Sequence, residues 1–122
     1  MDVSLVMITL DGRHRAFPLR RRRMVVGRSR DCDLRIALPC VARHHCELEV
    51  DATGAVRVRD LGSANGTWRN GERVAVARLR PGDHLAVGPI VLTLVIDGQP
   101  GRVAPPSETH VRPQAVVATA DG

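Results

Sequence analysis

Residues 60–67 read Asp60-Leu61-Gly62-Ser63-Ala64-Asn65-Gly66-Thr67. Gly62, Ser63, Asn65 and Gly66 are turn formers, each by its own mechanism: glycine by its freedom at positive φ, Ser and Asn by bonding their own backbone. The stretch is therefore a structured loop, and both sides of it read as β. Before it, Val56-Arg57-Val58-Arg59 alternates apolar and charged residues, the period of a half-buried strand that ends at Asp60. After it, Asn70-Gly71 is a tight hairpin signal between Trp68 and Val74.

The same alternation of short strands and turns extends outward. His45–Val50 sets Cys46, Leu48 and Val50 on one face and Glu47 and Glu49 on the other. Val3–Leu10 is a strand, Asp11-Gly12 a hairpin turn, and His14–Leu19 the returning partner. Arg23–Arg28 carries Met24-Val25-Val26 and breaks at Gly27, and Asp33–Ile36 points Leu34 and Ile36 inward. Pro81-Gly82-Asp83 turns into His84–Val87, Gly88-Pro89 turns again, and Ile90–Ile96 is the longest apolar strand. No segment keeps an i, i+3, i+4, i+7 apolar stripe, so the expected fold is an all-β sandwich. After Asp97-Gly98 the periodicity stops. The expected organisation is a β domain over residues 1–97 and a flexible tail, rich in Pro, Ala and Val, over residues 98–122.

Composition limits the function. The 122 residues suffice for one domain with a core. Aromatics are 2%, Phe17 and Trp68 alone, so the core is aliphatic and base-stacking nucleic-acid modules have nothing to stack on. The net charge is +5, and the basic residues are all Arg, a pattern that a GC-rich coding bias also produces. The charge sits in the domain: residues 1–97 hold 16 Arg and 11 acids, whereas residues 98–122 hold two of each. The Arg20–Arg23 run reads as a solvated hairpin end, with a contribution to attracting phosphorylated or acidic peptides as the alternative. Three Cys in no paired spacing do not make a disulfide framework, and the N-terminal apolar run is too short for a span and lacks the marks of a signal peptide. A cytoplasmic protein is expected, with no membrane partner.

Three loop motifs occur in order: Gly27-Arg28-Ser29, then Val41-Ala42-Arg43-His44-His45, then residues 60–67. With Asn70-Gly71 and Pro81-Gly82-Asp83 behind them, the set resembles the forkhead-associated (FHA) domain, over about Val3 to Ile96. The resemblance implies a β-sandwich of about eleven strands that binds phosphothreonine peptides through loops at one end. It is a non-catalytic module of protein–protein signalling, with no cofactor and no metal. Its implied partners are phosphothreonine-containing proteins, a Ser/Thr kinase or its substrate among them. It implies Arg28, Ser29, Arg43 and Asn65 as peptide-binding residues, and Gly27, His45, Gly66 and Thr67 as residues that shape the loops. The chemistry agrees, because Arg clusters on rigid loops suit a phosphate dianion. One position departs: Ala42 stands where the family usually has a phosphate-contacting Ser.

The rival within the fold is a degenerate domain that binds proteins without phosphate. The rival from another class is a basic nucleic-acid-binding β-domain. Zinc at Cys32, Cys40, His44, His45 and Cys46 is set aside, because Cys32 and Cys40 are too far apart for a zinc knuckle and His44 and His45 point to opposite faces. No carboxylate pair, nucleophile elbow or phosphate-binding glycine loop is visible, so an enzyme is not expected. Asp60 and Asp83 read as loop anchors.

Overall fold

The computed structural model describes residues 2–8 and 13–99. Eleven strands succeed one another: β1 Val3–Ile8, β2 His14–Pro18, β3 Arg23–Gly27, β4 Leu34–Arg35, β5 Cys46–Val50, β6 Val56–Asp60, β7 Thr67–Arg69, β8 Glu72–Val74, β9 Val76–Leu79, β10 His84–Val87 and β11 Ile90–Ile96. No helix occurs among the described residues, and none is long and apolar enough to cross a membrane. The strands form a six-stranded sheet in the order β2-β1-β11-β10-β7-β8 and a five-stranded sheet in the order β4-β3-β5-β6-β9.

Alternation in the strands explains how the two sheets meet. On β5, Cys46 and Leu48 are buried, and on β6 Val58 lies opposite Leu48 and Val56 opposite Val50, both β6 valines fully buried. Leu5, Leu85, Leu92 and Leu94 close the core from the other sheet. The outer face of the five-stranded sheet carries ion pairs, Arg23–Glu49 and Arg59–Glu47 at 3.1 Å each and Arg57–Asp51 at 3.8 Å. Each contributes little to stability at these exposures.

The Asn70-Gly71 turn is as expected. Both residues have positive φ, 49° and 83°, which is the twist a two-residue hairpin between β7 and β8 requires. Three readings change, and two others are not reached by the structure. The Asp11-Gly12 turn and the tail after Gln99 lie outside the described residues. The Asp33–Ile36 strand shrinks to two residues, although Leu34 and Ile36 both point inward as read. The Arg20–Arg23 run is solvent-exposed but is no hairpin end, because β2 and β3 belong to different sheets and the run crosses between them. Finally, β9 has no counterpart in the sequence reading. It is an edge strand whose Val76 stays 60% exposed, so its pattern does not show an apolar face.

Candidate functional site

Three connections converge at one end of the sandwich. The first leaves β3 at Gly27 and runs to Asp33. The second spans residues 36–45 between β4 and β5. The third is residues 61–66 between β6 and β7. Backbone hydrogen bonds lay the first two side by side. The Arg28 amide donates to Ala42 O at 2.9 Å and the Ser29 amide to Arg43 O at 3.1 Å. The Ile36 amide donates to Gly27 O at 2.8 Å, closing the loop on its own stem. Gly27 permits this approach: a Cβ there would meet Arg43 O at 2.1 Å and Arg43 C at 2.8 Å. Since both are backbone atoms, neither could swing aside.

The third loop is held from inside by Asp60. Its carboxylate accepts from the Gly62 and Ser63 amides at 3.0 and 3.1 Å, and from the Ser63 and Thr67 hydroxyls at 2.5 and 2.8 Å. Burial pushes the Asp60 carboxyl up, but the bonds from the Ser63 and Thr67 hydroxyls and the two amides outweigh it and hold it below the ordinary value. A lowered folded pKa stabilises the protein above the unfolded value, near pH 4, and that stability is lost as the pH falls through the folded value. We expect Asp60→Asn to cost about 2–4 kcal/mol at pH 7, since replacing either carboxylate oxygen by an amino group removes two acceptor bonds. Urea denaturation checks this, with the gap to wild type narrowing at pH 3. The reading of Asp60 as a loop anchor agrees with this geometry.

His45 ties the second and third connections to each other and to β3. It is fully buried. Its Nδ1 accepts the Ala42 amide at 3.1 Å, so Nε2 carries the proton and donates to Gly66 O at 2.8 Å. Its own amide donates to Val26 O at 2.8 Å and its carbonyl accepts from Leu61 N at 2.9 Å. Asn65 links the third loop to the second, with Nδ2 donating to Cys40 O at 2.7 Å and its carbonyl accepting from Trp68 Nε1 at 3.0 Å. Gly66 has φ +86°, and a Cβ on it would come within 2.6 Å of Arg73 Nε. Thr67 is fully buried beneath this loop.

The side chains read as ligand contacts lie on the outside of that frame. Arg28 is exposed, and its Nε donates to Val41 O at 3.1 Å, which fixes the guanidinium while its terminal nitrogens find no acceptor among the described residues. Arg43 is exposed and its guanidinium makes no hydrogen bond or ion pair among the described residues. Ser29 is half-buried, and its side chain bonds the Asp31 carboxylate. Ala42 lies beside Arg28 through its backbone and offers no hydroxyl. Of the two guanidiniums only that of Arg28 is anchored, while the two backbones run side by side through the Arg28–Ala42 and Ser29–Arg43 hydrogen bonds. Two cations so placed form a site for a dianion.

The five residues weighed for zinc do not gather. Cys46 is sealed in the core, where burial pushes its thiol up to about 12. His45 is committed to its two backbone partners. Cys32 and His44 do meet, however, together with Asp31, which spacing alone did not suggest. His44 Nε2 lies 3.0 and 3.1 Å from the two Asp31 carboxylate oxygens. The bonds to Ser29 and His44 hold the Asp31 carboxyl below its ordinary value. Burial and then the Asp31 charge push the Cys32 thiol up.

The FHA domain family model matches residues 24–88, more than half of the chain, and the chain belongs to the FHA domain family. The proliferation marker protein Ki-67 of Mus musculus is 40% identical over 78 residues, covering 63% of this chain and 2% of the relative. FhaA of Mycobacterium tuberculosis, an FHA domain-containing protein, is 35% identical over 78 residues, covering 64% of this chain and 15% of the relative. This chain thus spans only a small part of those relatives. Among solved structures, an FHA domain from a structural and functional study of phosphothreonine-dependent FHA domain interactions superposes with TM-score 0.71 at 28% identity, covering 79% of this chain and 97% of that one. EmbR of Mycobacterium tuberculosis, in complex with a low-affinity phosphopeptide, superposes with TM-score 0.71 at 29% identity, covering 78% of this chain and 24% of that one.

Proposed function

We propose that this chain is a non-catalytic module that binds phosphothreonine-containing proteins through the loops at one end of its sandwich. The observation that carries the reading is the pair Arg28 and Arg43, held on adjacent backbones with guanidinium nitrogens that no acidic side chain among the described residues engages. Arg28 and Arg43 take the phosphate, the Ser29 hydroxyl assists, and Asn65 takes the peptide backbone. Gly27, His45, Gly66 and Thr67 shape the loops. The solved relatives studied with phosphothreonine-dependent interactions and with a phosphopeptide support this assignment. So does FhaA, whose FHA domain was solved with the intracellular domain of Rv3910 and superposes with TM-score 0.68 at 29% identity. The partner class is a kinase-modified protein in a cytoplasmic setting. The domain occupies residues 1–97, with residues 98–122 as its tail.

The nucleic-acid alternative is weaker on charge distribution. Arg21, Arg23, Arg57 and Arg59 each face an acid, so the outer sheet face is a mixed lattice rather than a basic stripe. An array of matched threonine and phosphothreonine peptides tests the proposal, with selection of the phosphorylated forms expected and equal retention of both forms counting against it.

Position 42 gives a gain-of-function test. The Ala42 backbone is pinned by the Arg28 amide and by His45, so a hydroxyl there would stand beside the Arg28 site. A hydrogen bond to a charged group contributes about 1.5–3 kcal/mol. Ala42→Ser is expected to tighten phosphopeptide binding about tenfold or more by calorimetry.

A further inference from the structure

We propose that Asp31, Cys32 and His44 form a binding site for a zinc-like divalent cation, with a fourth coordination position open to solvent. One donor atom from each residue lies within 4.8 Å of the others. Zinc bonds of about 2.0–2.3 Å in a tetrahedron place donors roughly 3.3–3.6 Å apart. His44 Nε2 and the Asp31 oxygens are already near that spacing, at 3.0 and 3.1 Å.

The backbone around the three residues is already built. The Ser29 amide donates to Arg43 O, and the Cys32 amide donates back to Ser29 O, both at 3.1 Å. The Asp31–Cys32 turn and His44 are thereby held together before any ion arrives. The Cys32 thiol donates to Arg43 O at 3.1 Å. When the thiol gives up its proton to solvent and its sulfur turns to the metal, Arg43 O keeps the Ser29 amide, so no carbonyl is orphaned. Asp31 changes from hydrogen-bond acceptor of His44 to fellow ligand, which frees the imidazole lone pair once the neutral tautomer presents it.

The donor set selects the ion. One thiolate, one imidazole and one carboxylate suit zinc and its neighbours, whereas calcium and magnesium take oxygen cages. The thiolate and Asp31 neutralise a dication. Both Asp31 and His44 are open to solvent, with side chains 68% and 49% exposed, which leaves an entry path. The ion joins the loop that bears Arg28 and Ser29 to the loop that bears Arg43. Its consequence for phosphopeptide affinity rests on the function proposed above, but the metal site itself does not.

Cobalt(II) titration of the full chain, without peptide, tests the site. The expected result is one equivalent bound, with a thiolate-to-cobalt charge-transfer band and the visible bands of tetrahedral cobalt. Cys32→Ser removes the charge-transfer band and Cys40→Ser keeps it. His44→Ala and Asp31→Asn each weaken binding at least about tenfold, the smallest effect expected even of an outer partner. Absence of the band, its survival in Cys32→Ser, or an affinity unchanged by either His44→Ala or Asp31→Asn overturns the site. Because no phosphopeptide is present, failure here leaves the phosphothreonine reading standing, and failure of that reading leaves the cobalt result standing.

Discussion

Arg28→Ala weakens binding of a phosphothreonine peptide by about a hundredfold or more and leaves the weak binding of the unphosphorylated peptide unchanged. Two charge-assisted hydrogen bonds from one guanidinium, at about 1.5–3 kcal/mol each, set that scale. The fold survives, because Arg28 is exposed and, among the described residues, its side chain makes one hydrogen bond, from Nε to Val41 O. Arg28→Lys separates charge from geometry. It keeps the cation but loses the planar fork and the anchoring Nε bond, so about a tenfold deficit remains. Calorimetry on the three proteins with one peptide checks the order wild type, Lys, Ala.

His45→Ala is expected to cost about 3–5 kcal/mol of stability. It strips the Ala42 amide and Gly66 O of their partners, each a loss of about 1–3 kcal/mol where water cannot follow, and it leaves a cavity in a fully buried position. Against a typical stability of about 5–15 kcal/mol, such a variant is close to unfolding. The adjacent His44→Ala supplies the contrast. His44 is exposed and pairs with an exposed Asp31, so its loss is worth at most about 1 kcal/mol. Chemical denaturation of the two variants should therefore differ widely, although the substitutions are neighbours in sequence.

That contrast also marks what sequence reasoning can reach. The turn residues were legible because their chemistry is local: Asn70-Gly71 dictates its hairpin, and Gly62, Ser63 and Asn65 declare a loop before any partner is known. The roles of Gly27, His45 and Gly66 as loop-shaping residues were legible only through the ordered motif set, and the structure gives their physical content. Gly27 is small because Arg43 O lies against it, and His45 is a histidine because two backbone groups need opposite ends of one ring. What stayed hidden is non-local or lacks a period. The β9 strand exposes its apolar Val76, so alternation does not announce it. The Arg20–Arg23 run crosses from one sheet to the other, which depends on strand order and not on the run itself. Asp31 and His44 are brought together by hydrogen bonds across two loops, Arg28 with Ala42 and Ser29 with Arg43, and not by their spacing in the chain.

Asn65 illustrates a middle case. Its place in the motif pointed to a backbone-holding amide. In the free domain that amide already holds a backbone, its Nδ2 donating to Cys40 O at 2.7 Å. The same bond ties the third loop to the second, so the loops stand in a fixed relation before a peptide arrives. Such pre-organisation reduces the ordering cost of binding.

The most direct test of the account is calorimetry of the full chain with one peptide in its phosphothreonine and threonine forms, taken from those the array selects. The account predicts saturable one-to-one binding of the phosphorylated form and affinity at least about a hundredfold weaker for the unphosphorylated form, the difference a doubly hydrogen-bonded phosphate supports. Equal affinity for both forms, or binding of neither, would contradict it.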